Sequence, residues 1–65
     1  MKWIYVEARN VGTKPYELMI SFNHCEIEAP DEAVAYEIGP AELEKFPDYS
    51  GHSEGAFIND YVIKL

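Results

Sequence analysis

The chain has 65 residues, enough for a single small domain over residues 1–65 and too few for a second hydrophobic core. Hydrophobic residues make up 48% of it and aromatic residues 14%, a composition that argues against intrinsic disorder. The formal net charge of −7 disfavours direct binding to nucleic acid, and the single cysteine, Cys25, excludes an intramolecular disulfide.

The N-terminal segment lacks the features of an export signal. It reaches Glu7 without the apolar run of a signal peptide, and no apolar run approaches the ~20 residues that span a bilayer. With one lone thiol, we therefore expect a cytoplasmic protein that does not enter the membrane. Stability must come from a compact aromatic core or from self-association, so a homodimer remains one of two open alternatives.

Two strands are predicted in the first 23 residues. Residues 2–9 alternate with period two and are rich in aromatic and β-branched side chains, and the same alternation runs through residues 16–23. The intervening residues 10–15 contain glycine, asparagine and proline, which are typical of turns. We expect an antiparallel hairpin with a loop of about six residues.

Residues 25–29 continue the alternation with Glu26 and Glu28 on the outward face, and Pro30 ends it. The pattern leaves two alternatives open. The segment either extends the second strand past residues 23–24 or forms a third strand.

The segment from Asp31 to Gly39 also allows two interpretations. In a helix, Asp31 is the N-cap and Gly39 the C′ residue, and Val34 and Ile38 share one face. In a strand, alternate residues from Val34 to Ile38 point inward. We favour the helix because alanine and glutamate are weak strand formers.

Pro40 is expected to open a second helical turn over residues 40–46, because proline is tolerated at the first helical position. Leu43 and Phe46 would then face inward. Residues 48–55 have the composition of a surface loop.

Residues 56–65 are predicted to form a last strand with Tyr61, Ile63 and Leu65 inward, interrupted at residues 59–60 by a bulge or tight turn. Together, the elements predict an α+β fold. It has a small antiparallel sheet of three to four strands and one short helical segment packed on one face.

The charge distribution is the strongest functional candidate. Residues 1–24 carry three bases and two acids, whereas the segment from Glu26 to Glu54 carries nine acids and one base. Duplex DNA carries one charge about every 1.7 Å of its axis, which a row of carboxylates can approximate. The acids that would form such a row, along the edge made by the predicted strand, turn and helix, are Glu26, Glu28, Asp31, Glu32, Glu37, Glu42 and Glu44. The alternative is that they only keep the protein soluble.

Trp3 and Tyr5 are candidate apolar anchors for a partner. They lie on the face of the first strand opposite Ile4 and Val6, so a sheet covered on one side cannot bury both pairs. Trp and Tyr are favoured at protein interfaces. The alternative is that the helix covers one face of the sheet, and a dimer mate or the ends of the polypeptide cover the other.

Catalytic and metal-binding chemistry lack support. Cys25 with His24 or His52 would supply a nucleophile and base, but no nucleophile-elbow motif accompanies them, and adjacent histidine and cysteine do not readily chelate one zinc ion. The acids lack the spacing of a calcium loop, and the glycines form no phosphate-binding pattern. We expect no enzymatic activity, no cofactor and no bound metal.

In size, acidity and lack of a catalytic motif, the chain resembles in type the small inhibitor and adaptor proteins of phages and mobile elements, such as anti-CRISPR and nucleic-acid-mimic proteins. The resemblance implies an acidic protein that occupies a basic, nucleic-acid-binding surface of a partner protein. The alternative is a non-catalytic, homo-oligomeric component of a larger assembly. A small enzyme that depends on Cys25 is the third hypothesis.

Overall fold

The computed structural model of the chain describes residues 1–53 and 55–65. The elements are β1 (Lys2–Asn10), β2 (Ile20–Glu28), α1 (Glu32–Leu43), a 3-10 turn (Ser50–His52) and β3 (Ala56–Lys64). The three strands form one antiparallel sheet in the order β2-β1-β3, and α1 packs on it, mainly against β2. The predicted α+β fold is therefore confirmed.

The two faces of the sheet have different surroundings. The face under α1, which carries Trp3, Tyr5 and Glu7 of β1, is called the helix face, and its central aromatic side chain, Tyr5, is 0% exposed. The opposite face carries Ile4 and Val6 of β1 and is called the open face, because neither residue is fully buried. The core therefore lies on the helix face.

The core combines aromatic residues of the sheet with small residues of the helix. Its buried members are Trp3, Tyr5, Cys25, Ile27, Ala29, Ala35, Leu43 and Tyr49. Trp3 lies opposite Ile27 and donates its indole N–H to the Ala29 carbonyl at 3.0 Å, so its polar group is satisfied despite burial. The buried residues of α1, which recur along one side of it, are Ala35, Gly39 and Leu43. The small Ala35 and Gly39 let the helix approach the aromatic rings closely.

The expectation that Tyr61, Ile63 and Leu65 point inward is wrong. Their exposed fractions are 42%, 48% and 61%, and Ile63 lies opposite Ile4 on the open face. Val62 instead lies opposite Tyr5 and packs against the core. Period-two alternation separates two faces of a strand but does not tell which face another element will cover.

The predicted hairpin exists, with a longer loop. Residues 11–19 connect the strands, and β2 begins at Ile20 instead of Tyr16. The side chain of Asn10 holds this loop by accepting hydrogen bonds from the N–H groups of Gly12 and Met19. Tyr16 has φ 63°, which is incompatible with an extended strand. Of the two alternatives for residues 25–29, the structure shows the continuation of the second strand.

The segment after Pro30 is a helix, as favoured. The Asp31 side chain caps it by accepting a hydrogen bond from the N–H of Val34 at 2.9 Å. Gly39 and Pro40, however, lie inside one continuous helix, so their predicted roles as C′ residue and first residue of a second helix are wrong. A residue before proline usually avoids helical backbone because its Cβ meets the proline ring, and Gly39 has no Cβ.

The C-terminal part follows the prediction in outline. Leu43 is buried, but Phe46 is 48% exposed and does not point inward as expected. The strand β3 has a register shift beside Ile58, close to the expected bulge at residues 59–60. Glu54, placed by the sequence in the 48–55 loop, lies outside the described residues. Within residues 1–53 and 55–65, no helix has the length and apolar character needed to cross a membrane.

Candidate functional site

The acids assigned to one edge are divided between two sides of the molecule. Glu26 lies opposite Ile4 and Glu28 opposite Lys2, so both project from the open face. Cys25, the residue before Glu26, belongs to the helix face and is buried. Both glutamates are exposed, as predicted from the alternation. These two acids form one border of the open face.

The other acids lie on or around the helix. Asp31 and Glu32 are exposed at its N-terminus, and Glu37 and Glu44 are exposed on the side turned away from the buried Ala35–Leu43 row. Glu37 and Glu44 thus lie on the outer side of α1, whereas Glu26 and Glu28 lie on the open face of the sheet. A single continuous row of seven carboxylates is therefore not what this fold presents.

Several of these acids have basic partners within the chain. Lys2 Nζ lies 3.6 Å from Glu26 Oε1, the N-terminal amine lies 3.6 Å from Glu28 Oε1, and Lys45 Nζ lies 2.9 Å from Glu42 Oε1. Ion pairs between exposed side chains contribute ~0–1 kcal/mol each, so a basic partner can replace them at little cost.

Trp3 and Tyr5 are core residues, which corrects their assignment as partner-binding anchors. Trp3 is 7% exposed and Tyr5 0%, and α1 covers both rings. One face of β1 is covered by α1, and it is the aromatic face of Trp3 and Tyr5. The face left open is that of Ile4 and Val6, so an apolar surface exists on the side opposite to the one expected.

The open face is an apolar surface that the sequence interpretation did not single out. Tyr61 is 42% exposed and Ile63 48%, and they lie opposite the half-buried Val6 and Ile4 of the central strand. Phe22, 63% exposed, lies opposite Ala8 on the other side of that strand, next to the exposed His24 opposite Val6. Contiguous exposed apolar side chains rimmed by polar ones are typical of protein interaction sites. The signal in the sequence was that both faces of β1 are apolar.

A buried polar cluster lies at the end of the helix face. Glu7 as a whole residue is 2% exposed, and its carboxylate accepts hydrogen bonds from the Arg9 guanidinium and the Tyr49 hydroxyl. Arg9 also donates to the Gly55 carbonyl at 2.8 Å, and Tyr5 donates its hydroxyl to Asp60 Oδ2 at 2.6 Å. Every buried side-chain polar atom in residues 1–53 and 55–65 has a hydrogen-bond partner, so this cluster is a satisfied structural network.

Burial shifts the pKa values of both network tyrosines upward. For Tyr5 the causes are burial first and then its hydrogen bond to Asp60; for Tyr49 they are burial and then its hydrogen bond to Glu7. The pKa of Arg9 is raised although burial lowers it, because the hydrogen bond to Glu7 favours the charged guanidinium. The network therefore consists of the neutral hydroxyl groups of Tyr5 and Tyr49 around the Glu7–Arg9 ion pair.

We expect the free energy of unfolding to fall as the pH rises above about 10. Unfolded tyrosines then release protons that folded Tyr5 and Tyr49 retain, so this contribution is complete below the ordinary pKa of 10.0 and is lost above it. Each tyrosine contributes a slope of at most ~1.4 kcal/mol per pH unit. Urea unfolding at a series of pH values above about 10 gives the slope of the unfolding free energy against pH. This slope should be smaller for Tyr49→Phe, whereas Tyr16→Phe, in the exposed loop, should match the unmodified chain. Equal slopes for all three proteins would contradict the assignment.

Cys25 is buried within β2, as its strand position suggested. Burial, and then the nearby Glu42 carboxylate, raise the pKa of its thiol, so a thiolate is disfavoured at neutral pH. His52 Nε2 lies 3.0 Å from the Phe46 carbonyl oxygen, and its ring packs edge-on against Tyr49. These placements support the interpretation of Cys25 as a small buried hydrophobe.

The described residues present an exposed apolar face and no cluster of metal-ligating side chains. In residues 1–53 and 55–65, no three His, Cys, Asp or Glu side chains converge closely enough to hold a metal ion. The open face with its border of Glu26 and Glu28 is the strongest candidate site. Comparisons of the chain with protein families, with curated proteins and with solved structures found no match.

Proposed function

We propose that the protein is a small acidic inhibitor or adaptor that binds a basic, nucleic-acid-binding surface of a larger partner protein. The observation that carries the proposal is the pairing of an exposed apolar sheet face with exposed carboxylates at its border. Apolar contacts supply affinity at the centre of such a surface, and charges at its rim supply orientation and speed of association.

The apolar centre consists of side chains that a monomer leaves in water. Phe22 on β2 is the most exposed of them at 63%, and Tyr61 and Ile63 lie on the other outer strand, β3, opposite Val6 and Ile4. Aromatic side chains are preferred anchors in protein interfaces because they bury a large area at a small entropic cost. Phe22 therefore takes the role that the sequence assigned to Trp3 and Tyr5.

The acidic border selects the class of partner. Glu26 and Glu28 have side-chain exposures of 59% and 72%, and their contacts with Lys2 and the N-terminal amine are both 3.6 Å long. A partner with arginine or lysine around an apolar patch can displace these weak contacts. The helix acids contribute to the overall negative field that attracts such a partner, without touching it at the same face.

A second candidate function is a homo-oligomeric structural component in which the open face is covered by other copies. The exposed apolar side chains of this face favour it as well. The two candidates differ in salt dependence. An acidic inhibitor releases its partner as the salt concentration rises, whereas apolar association does not weaken.

The test is capture from a cell lysate with tagged protein at low and high salt. We expect a basic, nucleic-acid-binding protein that elutes as salt rises. Glu26→Gln with Glu28→Gln should weaken its binding by roughly tenfold and flatten the salt dependence. Phe22→Ala should weaken binding without changing the salt dependence, because it removes apolar contact only.

The matched control is Glu37→Gln with Glu44→Gln, which makes the same change in charge on the outer side of α1. It should leave most of the affinity in place. Equal losses for the two pairs of variants would show that only the total charge matters. A captured protein that is neither basic nor salt-sensitive would count against the acidic inhibitor itself.

A further inference from the structure

We propose that the outer edge of β3 pairs with β3 of a second copy of the chain, in antiparallel orientation, to build one six-stranded sheet. The inference concerns an edge of the sheet, whereas the proposed function uses its open face. It is therefore independent of that function and has its own test.

The outward backbone groups of β3 follow from its register with β1. The N–H of Leu65 donates to the Lys2 carbonyl at 2.9 Å, and Lys64 lies opposite Trp3. Hydrogen-bonded and non-bonded pairs alternate in an antiparallel ladder. Residues 61, 63 and 65 consequently direct their N–H and C=O groups to β1, and residues 60, 62 and 64 direct theirs away from it.

Charge distinguishes the two edges of the sheet. The edge strand β2 carries Glu26 and Glu28, which oppose the approach of another acidic chain. The strand β3 carries only Asp60 and Lys64, whose charges cancel, although the whole chain has a net charge of −7. A second copy is therefore repelled least at β3.

The charges of β3 also select a register. Residues 60, 62 and 64 bear the outward groups, so a two-fold pairing must place these residues opposite one another. A pairing centred on Val62 places Asp60 of each copy opposite Lys64 of the other, and so forms two complementary charge pairs. A pairing centred on Asp60 would instead set two carboxylates against each other. A pairing centred on Tyr61, which lies midway between these two registers, brings no charged residues opposite each other.

Two further features of the single chain favour this register: the fixed position of the Asp60 carboxylate and the exposed apolar residues beside it. Tyr5 donates a hydrogen bond of 2.6 Å to Asp60 Oδ2, which holds the carboxylate in place before a second copy arrives. On the open face, the same register sets Tyr61 of one copy opposite Ile63 of the other. Both are substantially exposed in the single chain, at 42% and 48%. Aromatic and β-branched residues in facing positions stabilise strand pairs.

Hydrogen exchange of individual amides tests the pairing directly. Between about 10 µM and about 1 mM protein, a range in which modest interfaces form, the sedimentation mass should rise toward twice the 7.4 kDa of one chain. The amides of Asp60, Val62 and Lys64 should exchange fast in the dilute sample and slowly in the concentrated one. Those of Tyr61 and Ile63 should be slow in both, because they bond to β1.

Lys64→Glu should raise the dimer dissociation constant by roughly tenfold, because it turns both charge pairs into repulsions. The control is Lys14→Glu, which changes the net charge equally in the loop at the other end of β1, and it should leave the dissociation constant nearly unchanged. A chain that stays monomeric would overturn the proposal. So would equal effects of the two variants, or a dimer in which the amides of Asp60, Val62 and Lys64 remain fast.

Discussion

Glu7→Gln is expected to lower the free energy of unfolding by about 3 kcal/mol, because it removes the negative partner of a largely buried ion pair. The Glu7 and Arg9 side chains are 3% and 20% exposed, so the guanidinium would keep its charge with little water to solvate it. The neutral amide would also be a weaker acceptor for the Tyr49 hydroxyl, which now bonds to the carboxylate.

The loss is large for a domain of this size. At ~0.05–0.15 kcal/mol per residue, 65 residues provide a total stability of about 3–10 kcal/mol. Urea unfolding followed by tryptophan fluorescence measures the change, since Trp3 lies in the core. The matched control is Glu26→Gln, which removes a carboxylate from an exposed pair with Lys2 and should cost less than about 0.5 kcal/mol. Similar losses for the two variants would show that burial of Glu7 is unimportant.

Gly39→Ala is expected to lower the free energy of unfolding by about 2–3 kcal/mol, although glycine to alanine usually stabilises a helix. A Cβ at this position would lie 2.2 Å from Tyr5 Cγ and 2.3 Å from Tyr5 Cδ1. The ring cannot move aside easily, because Tyr5 is completely buried and its hydroxyl is bound to Asp60. The helix would have to rise from the sheet.

The control for Gly39→Ala is Glu37→Ala, which introduces alanine at an exposed position of the same helix. It should change the free energy of unfolding by at most about 0.5 kcal/mol. The same urea titration compares both variants with the unmodified chain. Stabilisation of Gly39→Ala by about 1 kcal/mol, the gain expected at an exposed helical site, would falsify the close contact of Gly39 with Tyr5.

Part of the candidate site was accessible from the sequence. The alternation after Asn23 correctly predicted that Glu26 and Glu28 are exposed, because a strand with one buried face must turn its charged residues outward. The role of Trp3 and Tyr5 as anchors was wrong, and the Glu7–Arg9 pair was missed. The available signal was that Glu7 and Arg9, of opposite charge, share a strand face with these aromatic residues.

The amino-acid sequence by itself determined the extended β1, because its alternation acts over a few residues. It favoured a helix capped at Asp31 without excluding a strand, and it began β2 too early, at Tyr16. Only the tertiary structure decided which side of β1 is covered and that the helix continues through Pro40. Both faces of β1 are apolar, so the choice depended on the fit between distant residues, above all the Tyr5 ring against Gly39.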